Sequence, residues 1–263
     1  MTLNLVEKHV LVFAKAYSSP PTFDTDAEEG GSPAQWFAEV KGSEHGLSCK
    51  DLARTTNRAQ LLAMSADKKT CIDDLCVSVL AWGGMHRANR DRLFQRSAAR
   101  WLAVAKRIRA GGLSRRAAFD EFASLRAEKK EKAMLGLGPA YFTKLIYFLM
   151  PETPGKGYIL DQWAGLSMNL IAGVNVVKMD ETVTWKADGK TVERRVNSRV
   201  SDVNTGEDYD RFCRGLELLS ARMGGAWTPG QVERALMSEG GRSPQTWRSH
   251  VVAERLRALP PSS

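Results

Sequence analysis

Apolar residues recur at helical spacing along most of the chain. Leu5, Val10, Val12 and Phe13 form the apolar side of a helix within residues 1–17. Ser32-Pro33 then supplies a cap and a first-turn proline for a helix carrying Trp36 and Phe37. Residues 50–66 read as helical and basic, and Cys71 to Trp82 as an apolar helix that stops at Gly83-Gly84. Two amphipathic helices follow, over Arg92 to Arg109 and Ser114 to Lys132. Tyr141, Phe142, Leu145, Ile146 and Phe148 mark an apolar helix, and Gln162 to Ile171 another. Tyr209, Phe212, Leu216 and Leu219 line a long helix over Asp202 to Met223. Trp227-Thr228-Pro229 restarts a helix, and a last one follows Ser243 and ends at Pro260-Pro261.

The period changes once. Residues 174–200 carry β-branched residues around Asp188-Gly189, a hairpin turn signal. The expected fold is therefore mainly α, with a small antiparallel β-hairpin insertion at 174–200. Its basic tip carries Lys186, Lys190, Arg194, Arg195 and Arg199, to touch a polyanion, cover a pocket or decorate the surface. No repeat or low-complexity linker divides the chain, so residues 1–263 read as one domain of two helical lobes around a cleft.

Composition sharpens this picture in three ways. A chain of 263 residues can bury a sizeable core. Its net charge of +8 suits a polyanionic partner. No run is apolar enough for a membrane helix and the N-terminus has no signal-peptide pattern, so a cytoplasmic monomer is expected. Cys49, Cys71, Cys76 and Cys213 fit neither zinc nor iron–sulfur spacing and read as reduced, mostly core thiols. The four histidines are dispersed. No metal and no cofactor are expected.

The chemistry concentrates in residues 134–163. Gly136 and Gly138 allow a tight turn between two helices, and Pro139 suits the first helical position. Such a turn presents backbone N–H groups at a helix N-terminus, a ready anion site. On a basic chain the anion is a nucleic-acid phosphate.

The string Gly136-Leu-Gly-Pro-Ala-Tyr-Phe-Thr-Lys144, followed by Tyr158-Ile-Leu-Asp161-Gln-Trp163, resembles the helix-hairpin-helix DNA glycosylases. It is most similar to their bacterial branch with an 8-oxoguanine DNA glycosylase fold, some members of which act in phage defence. The resemblance covers about residues 75–170 and implies a two-lobed helix-hairpin-helix glycosylase fold. It implies Asp161 as the catalytic aspartate and Gly136, Gly138 and Ala140 as hairpin contacts to DNA. It implies that Met85, His86, Arg87 and Asn89 supply the wedge and phosphate contacts that fill the space left by an extruded base. Phe142, Tyr209 and Phe212 become candidates for the base pocket.

Breaking an N-glycosidic bond develops a cationic sugar, which needs a carboxylate beneath it, and the base must leave the stack. Strand-cleaving members of the family carry a lysine two residues after the second hairpin glycine; here that position is Ala140. Lys144 lies about one helical turn further on, roughly 6 Å along the axis. It stands as a nucleophile, or as a contact to the base or a phosphate in an enzyme that uses water. The expected partner is double-stranded DNA with modified bases, and glucosylated hydroxymethylcytosine of phage genomes is the leading substrate. Two rivals stay open: an 8-oxoguanine repair glycosylase with or without lyase activity, and a non-catalytic hairpin DNA-binding protein.

Overall fold

The computed structural model describes residues 3–21, 30–41, 44–128, 133–188, 191–237 and 246–258, leaving aside the side chains of 185–195. The described residues form twelve α-helices and one two-stranded antiparallel sheet. The helices are α1 (Glu7–Ala16), α2 (Pro33–Ala38), α3 (Arg58–Ala66), α4 (Ile72–Trp82), α5 (Arg87–Phe94) and α6 (Ala99–Arg109). They continue as α7 (Arg115–Ala127), α8 (Pro139–Leu149), α9 (Gln162–Ala172), α10 (Gly206–Met223), α11 (Pro229–Leu236) and α12 (Thr246–Ala258). The strands β1 (Met179–Asp188) and β2 (Thr191–Val200) lie between α9 and α10. The mainly α fold with a small β insertion is thus the observed one.

Local sequence explains most of the ends. Ser32, Asn57, Ser114, Thr205 and Thr228 each accept a backbone N–H at a helix start. Three boundaries differ from the sequence pattern. The segment before α3 is not helical, because Lys50 N–H donates to Asp74 and Ala34 N–H to the Ala53 carbonyl, which holds it extended against neighbours. The stretch 92–109 is split between α5 and α6, since Ala98 N–H leaves the helix to donate to the His45 carbonyl at 2.9 Å. The insertion pairs only from Met179, because Asn169 clasps both backbone groups of Val177 at 2.7 and 2.8 Å. The turn residue Gly189, the side chains of Lys186, Lys190, Arg194 and Arg195, the end of the run to Lys132, and Pro260-Pro261 lie outside the described residues. Of the cysteines, Cys76 and Cys213 are buried, Cys49 is half-buried and Cys71 is exposed.

Buried apolar side chains form a cluster running from Val10 to Val251. Within it α8 packs against α3, α4, α6 and α7, while α9 packs against α1, α10, α11, α12 and both strands. The two helices implicated by the sequence are therefore the hubs of two helix groups, joined where α7 meets α10.

Candidate active site

The hairpin between α7 and α8 is built by one glycine of unusual conformation. Gly136 has φ +93°, and a Cβ there would stand 2.3 Å from the Asn89 carbonyl oxygen. It is glycine for both reasons. Gly138 differs from expectation: with φ −83° and ψ 179° it is ordinary extended backbone capping α8. It leaves the start of α8 without a side-chain cap, flanked by the paired Arg126 and Asp202. Ala140, in the first turn of α8, is partly exposed.

Contact of Gly136 with Asn89 brings together two segments that are far apart in sequence. The 83–90 segment, which leads into α5, is further pinned by α2. Trp36 Nε1 donates to the Met85 carbonyl at 3.1 Å, and Arg90 reaches the Trp36 carbonyl at 2.8 Å and Glu39 at 2.9 Å. His86 caps α5 and is exposed; Arg87 is exposed and pairs with Glu39 at 3.3 Å; Asn89 is partly exposed. Met85 is different: its side chain is 3% exposed and belongs to the core. It supports the loop from beneath and presents no wedge in this conformation.

Asp161 is the N-cap of α9, accepting from Ala164 N–H at 2.8 Å. The segment that delivers it is held from two sides. Leu160 N–H donates to Thr143 Oγ1 at 3.1 Å, and that hydroxyl donates to the Pro139 carbonyl at 2.8 Å. On the other side Tyr209 Oη donates to the Tyr158 carbonyl at 2.7 Å. Gly157 lets this threading occur, since a Cβ would meet Tyr209 Oη at 2.6 Å and Ile146 Cγ2 at 2.7 Å.

The pocket candidates sit within this packing. Phe142, Tyr209 and Phe212 are each fully buried. Phe119 lies 4.9 Å from Phe142 and 5.0 Å from Tyr209, centroid to centroid, and Phe212 stacks on Tyr209 at 6.4 Å. The packed rings brace the segment that carries Asp161, and Phe142 together with Phe119 also borders a cavity. Sequence periodicity could not separate the two roles, because a pocket wall and a core face have the same spacing.

Lys144 enters the site from the second turn of α8. It is 9% exposed, its ammonium donates to the Gly83 carbonyl at 2.9 Å, and Nζ lies 5.2 Å from the Tyr141 ring centroid. Burial pulls its pKa down, opposed by the charge of Asp161. The Asp161 residue is partly exposed, yet the crowding around its carboxyl pushes its pKa up. The Ala164 N–H and the Lys144 charge oppose that rise. The two side chains are therefore electrostatic partners. Behind Lys144, the fully buried Arg58–Glu233 pair ties α3 to α11, with the Arg58 guanidinium 4.5 Å over the Tyr147 ring.

A cavity of about 300 Å³ opens near the hairpin, lined by Phe119, Leu135, Pro139, Phe142, Arg126 and Asp202. Phe142 and Lys144 are two residues apart on a helix and so point to roughly opposite faces. The cavity therefore lies across α8 from Lys144, away from the Asp161 chemistry. Among the described residues no cluster of potential ligands could hold a metal ion, and no helix is long and apolar enough to cross a membrane.

Reasoning from sequence missed Thr143, Trp163 and Arg248. The Arg248 guanidinium lies 4.1 Å over the Trp163 ring, and its charge acts on Asp161. An arginine far down the chain carries no local signal of that neighbourhood.

Residues 24–237 match a family model described as "Putative 8-oxoguanine DNA glycosylase OGG-like protein". No curated protein and no solved structure matches the chain.

Proposed function

Because the chain belongs to the OGG-like 8-oxoguanine DNA glycosylase family, we propose that it removes a modified base from double-stranded DNA by cleaving the N-glycosidic bond. The observation that carries this reading is the electrostatic partnership of Asp161 with Lys144, on the helix whose N-terminus Gly138 leaves without a side-chain cap. The hairpin N–H groups of α8 and the His86–Asn89 turn form adjoining surfaces for the phosphate backbone. A duplex held there brings an extruded nucleotide to Asp161.

The reaction then follows from the charges. As the base departs, positive charge grows on the sugar, and the Asp161 carboxylate stabilises it. Asp161 also orients the attacking nucleophile. That nucleophile is water. The Lys144 amine donates to the Gly83 carbonyl and its charge opposes the rise in the Asp161 pKa, so its part is to favour the ionised Asp161 in a crowded site.

The substrate is a base enlarged by modification. The resemblance to phage-defence glycosylases, the absence of a lysine at Ala140 and the β1–β2 insertion beside α9 together favour glucosylated hydroxymethylcytosine. The test is to incubate the protein with glucosylated phage DNA, its unglucosylated counterpart and 8-oxoguanine duplexes, and to identify released base by mass spectrometry. Release from glucosylated DNA that disappears in Asp161→Asn is expected. Excision of 8-oxoguanine alone returns the protein to repair; no release from any duplex leaves a DNA clamp.

A further inference from the structure

Helix α12 lies beyond the region matched by the family model, yet it is built into the site. Trp247 anchors it: its ring is fully buried, Nε1 donates to Ser167 Oγ in α9 at 3.0 Å, and its edge meets Phe13 at 5.2 Å. The next residue, Arg248, thereby comes to rest on Trp163, two residues after Asp161. Its Nη2 also donates to the Met237 carbonyl at 3.1 Å, and the residue is partly exposed.

The Trp163–Arg248 stack is braced from outside. With the Gln162 amide oriented to satisfy both neighbours, its oxygen accepts from Trp163 Nε1 at 3.1 Å and its nitrogen donates to the Ser198 carbonyl of β2. Arg255 of α12 donates to Glu181 of β1 and to Ser198 Oγ, each at 2.6 Å. The start of α9, the base of the β-ribbon and α12 thus form one rigid lip beside Asp161.

Charge gives the lip a purpose. A carboxylate placed beneath a sugar repels the phosphates attached to that sugar. Lys144 is deep and tied to Gly83, so it offsets this repulsion poorly at the surface. Arg248 is a partly exposed cation whose charge reaches Asp161, and its planar guanidinium suits a phosphate. Stacking on Trp163 fixes its plane before DNA arrives.

We propose that Arg248 binds the DNA phosphate flanking the extruded nucleotide, with Trp163 as its platform. This rests on the base-excision reading, but its test needs only binding. The probe is a duplex carrying a tetrahydrofuran abasic-site analogue, titrated against salt. Arg248→Gln should flatten the slope of log K against log salt by about 0.9, the release of one counterion. Arg257→Gln removes the same charge from the exposed end of α12, where it pairs with Glu254, and should leave the slope unchanged. A neutral methylphosphonate beside the tetrahydrofuran should weaken wild-type binding and have no further effect on Arg248→Gln. Arg248→Lys keeps the charge and should retain most of the slope; it also serves if the Gln variant is poorly folded by thermal melting. An unchanged slope in Arg248→Gln, equal effects of Arg248→Gln and Arg257→Gln, or an additive methylphosphonate effect would overturn the proposal. If Arg248→Gln loses one counterion while no base is released from any DNA, the contact stands and the glycosylase reading falls.

Discussion

Lys144 passes directly beneath Gly83: its ammonium donates to the Gly83 carbonyl at 2.9 Å, and a Cβ on Gly83 would stand 2.7 Å from Lys144 Cδ. Gly83 has φ −66°, which any residue adopts, so it is glycine for space and not for conformation. Gly83→Ala is expected to cost about 1–3 kcal/mol through overpacking. Pairing it with Lys144→Ala should return much of that loss, and the non-additivity is read from denaturant melts of the single and double variants. Additive costs would mean that the clash lies with the Val79 carbonyl, at 3.0 Å from the same Cβ.

Lys144 is not expected to form a Schiff base. Borohydride added during turnover should leave no covalent protein–DNA product, and Lys144→Met should still release base, only more slowly. Removing the ammonium takes away a charge that lowers the Asp161 pKa. The acid limb of the pH–rate profile should therefore move to higher pH in Lys144→Met. A trapped adduct in the wild type, absent in Lys144→Met, would restore the lysine as nucleophile.

Asp161 carries a raised pKa because its carboxyl is crowded. Base release needs the carboxylate, so single-turnover rate should climb as pH rises through a midpoint above the ordinary carboxylate value. Stability has the opposite sign. A folded-state pKa above the unfolded one gives stability that is complete at low pH and is lost as pH rises through the folded value. Asp161→Asn keeps a competent N-cap and removes that loss. At neutral pH it should melt at or above the wild-type temperature while releasing no base.

The two hairpin glycines should respond differently. Gly136→Ala meets both a left-handed φ and the Asn89 carbonyl at 2.3 Å, so it should destabilise by about 1–3 kcal/mol or more. Gly138→Ala finds its nearest neighbours at 3.7 Å and an ordinary φ, so stability should stay within about 0.5 kcal/mol. Its added methyl nonetheless sits at the N-terminal end of α8. Weaker binding to every duplex sequence, measured by anisotropy, is expected; unchanged affinity would take that helix end out of the DNA interface.

Thr143→Val keeps shape but removes the acceptor for the buried Leu160 N–H. An unpaired buried donor costs about 1–3 kcal/mol. Because Leu160 precedes Asp161, the rate of base release should fall together with the melting temperature. A stable variant with normal turnover would show that Tyr209 alone holds the segment.

Much of this molecule was legible before any folding was considered. Helical period, serine and threonine caps and the β-branched stretch are local signals, because each depends on residues a few positions apart. Gly136, Asp161 and the helix starts at Ser32, Ser114 and Thr228 follow from such signals. Tertiary structure decided the rest, because burial and proximity depend on what arrives from elsewhere. Met85, Phe142, Tyr209 and Phe212 were candidates through the family resemblance, and folding buries all four. Gly138 needed no special φ, while Gly83 proved to be shaped by a lysine on another helix. Nothing along the chain pairs Thr143 with Leu160 or Arg248 with Trp163; folding does. Residue type and spacing determined what chemistry the chain carries; only packing decided which of those side chains stand beside Asp161.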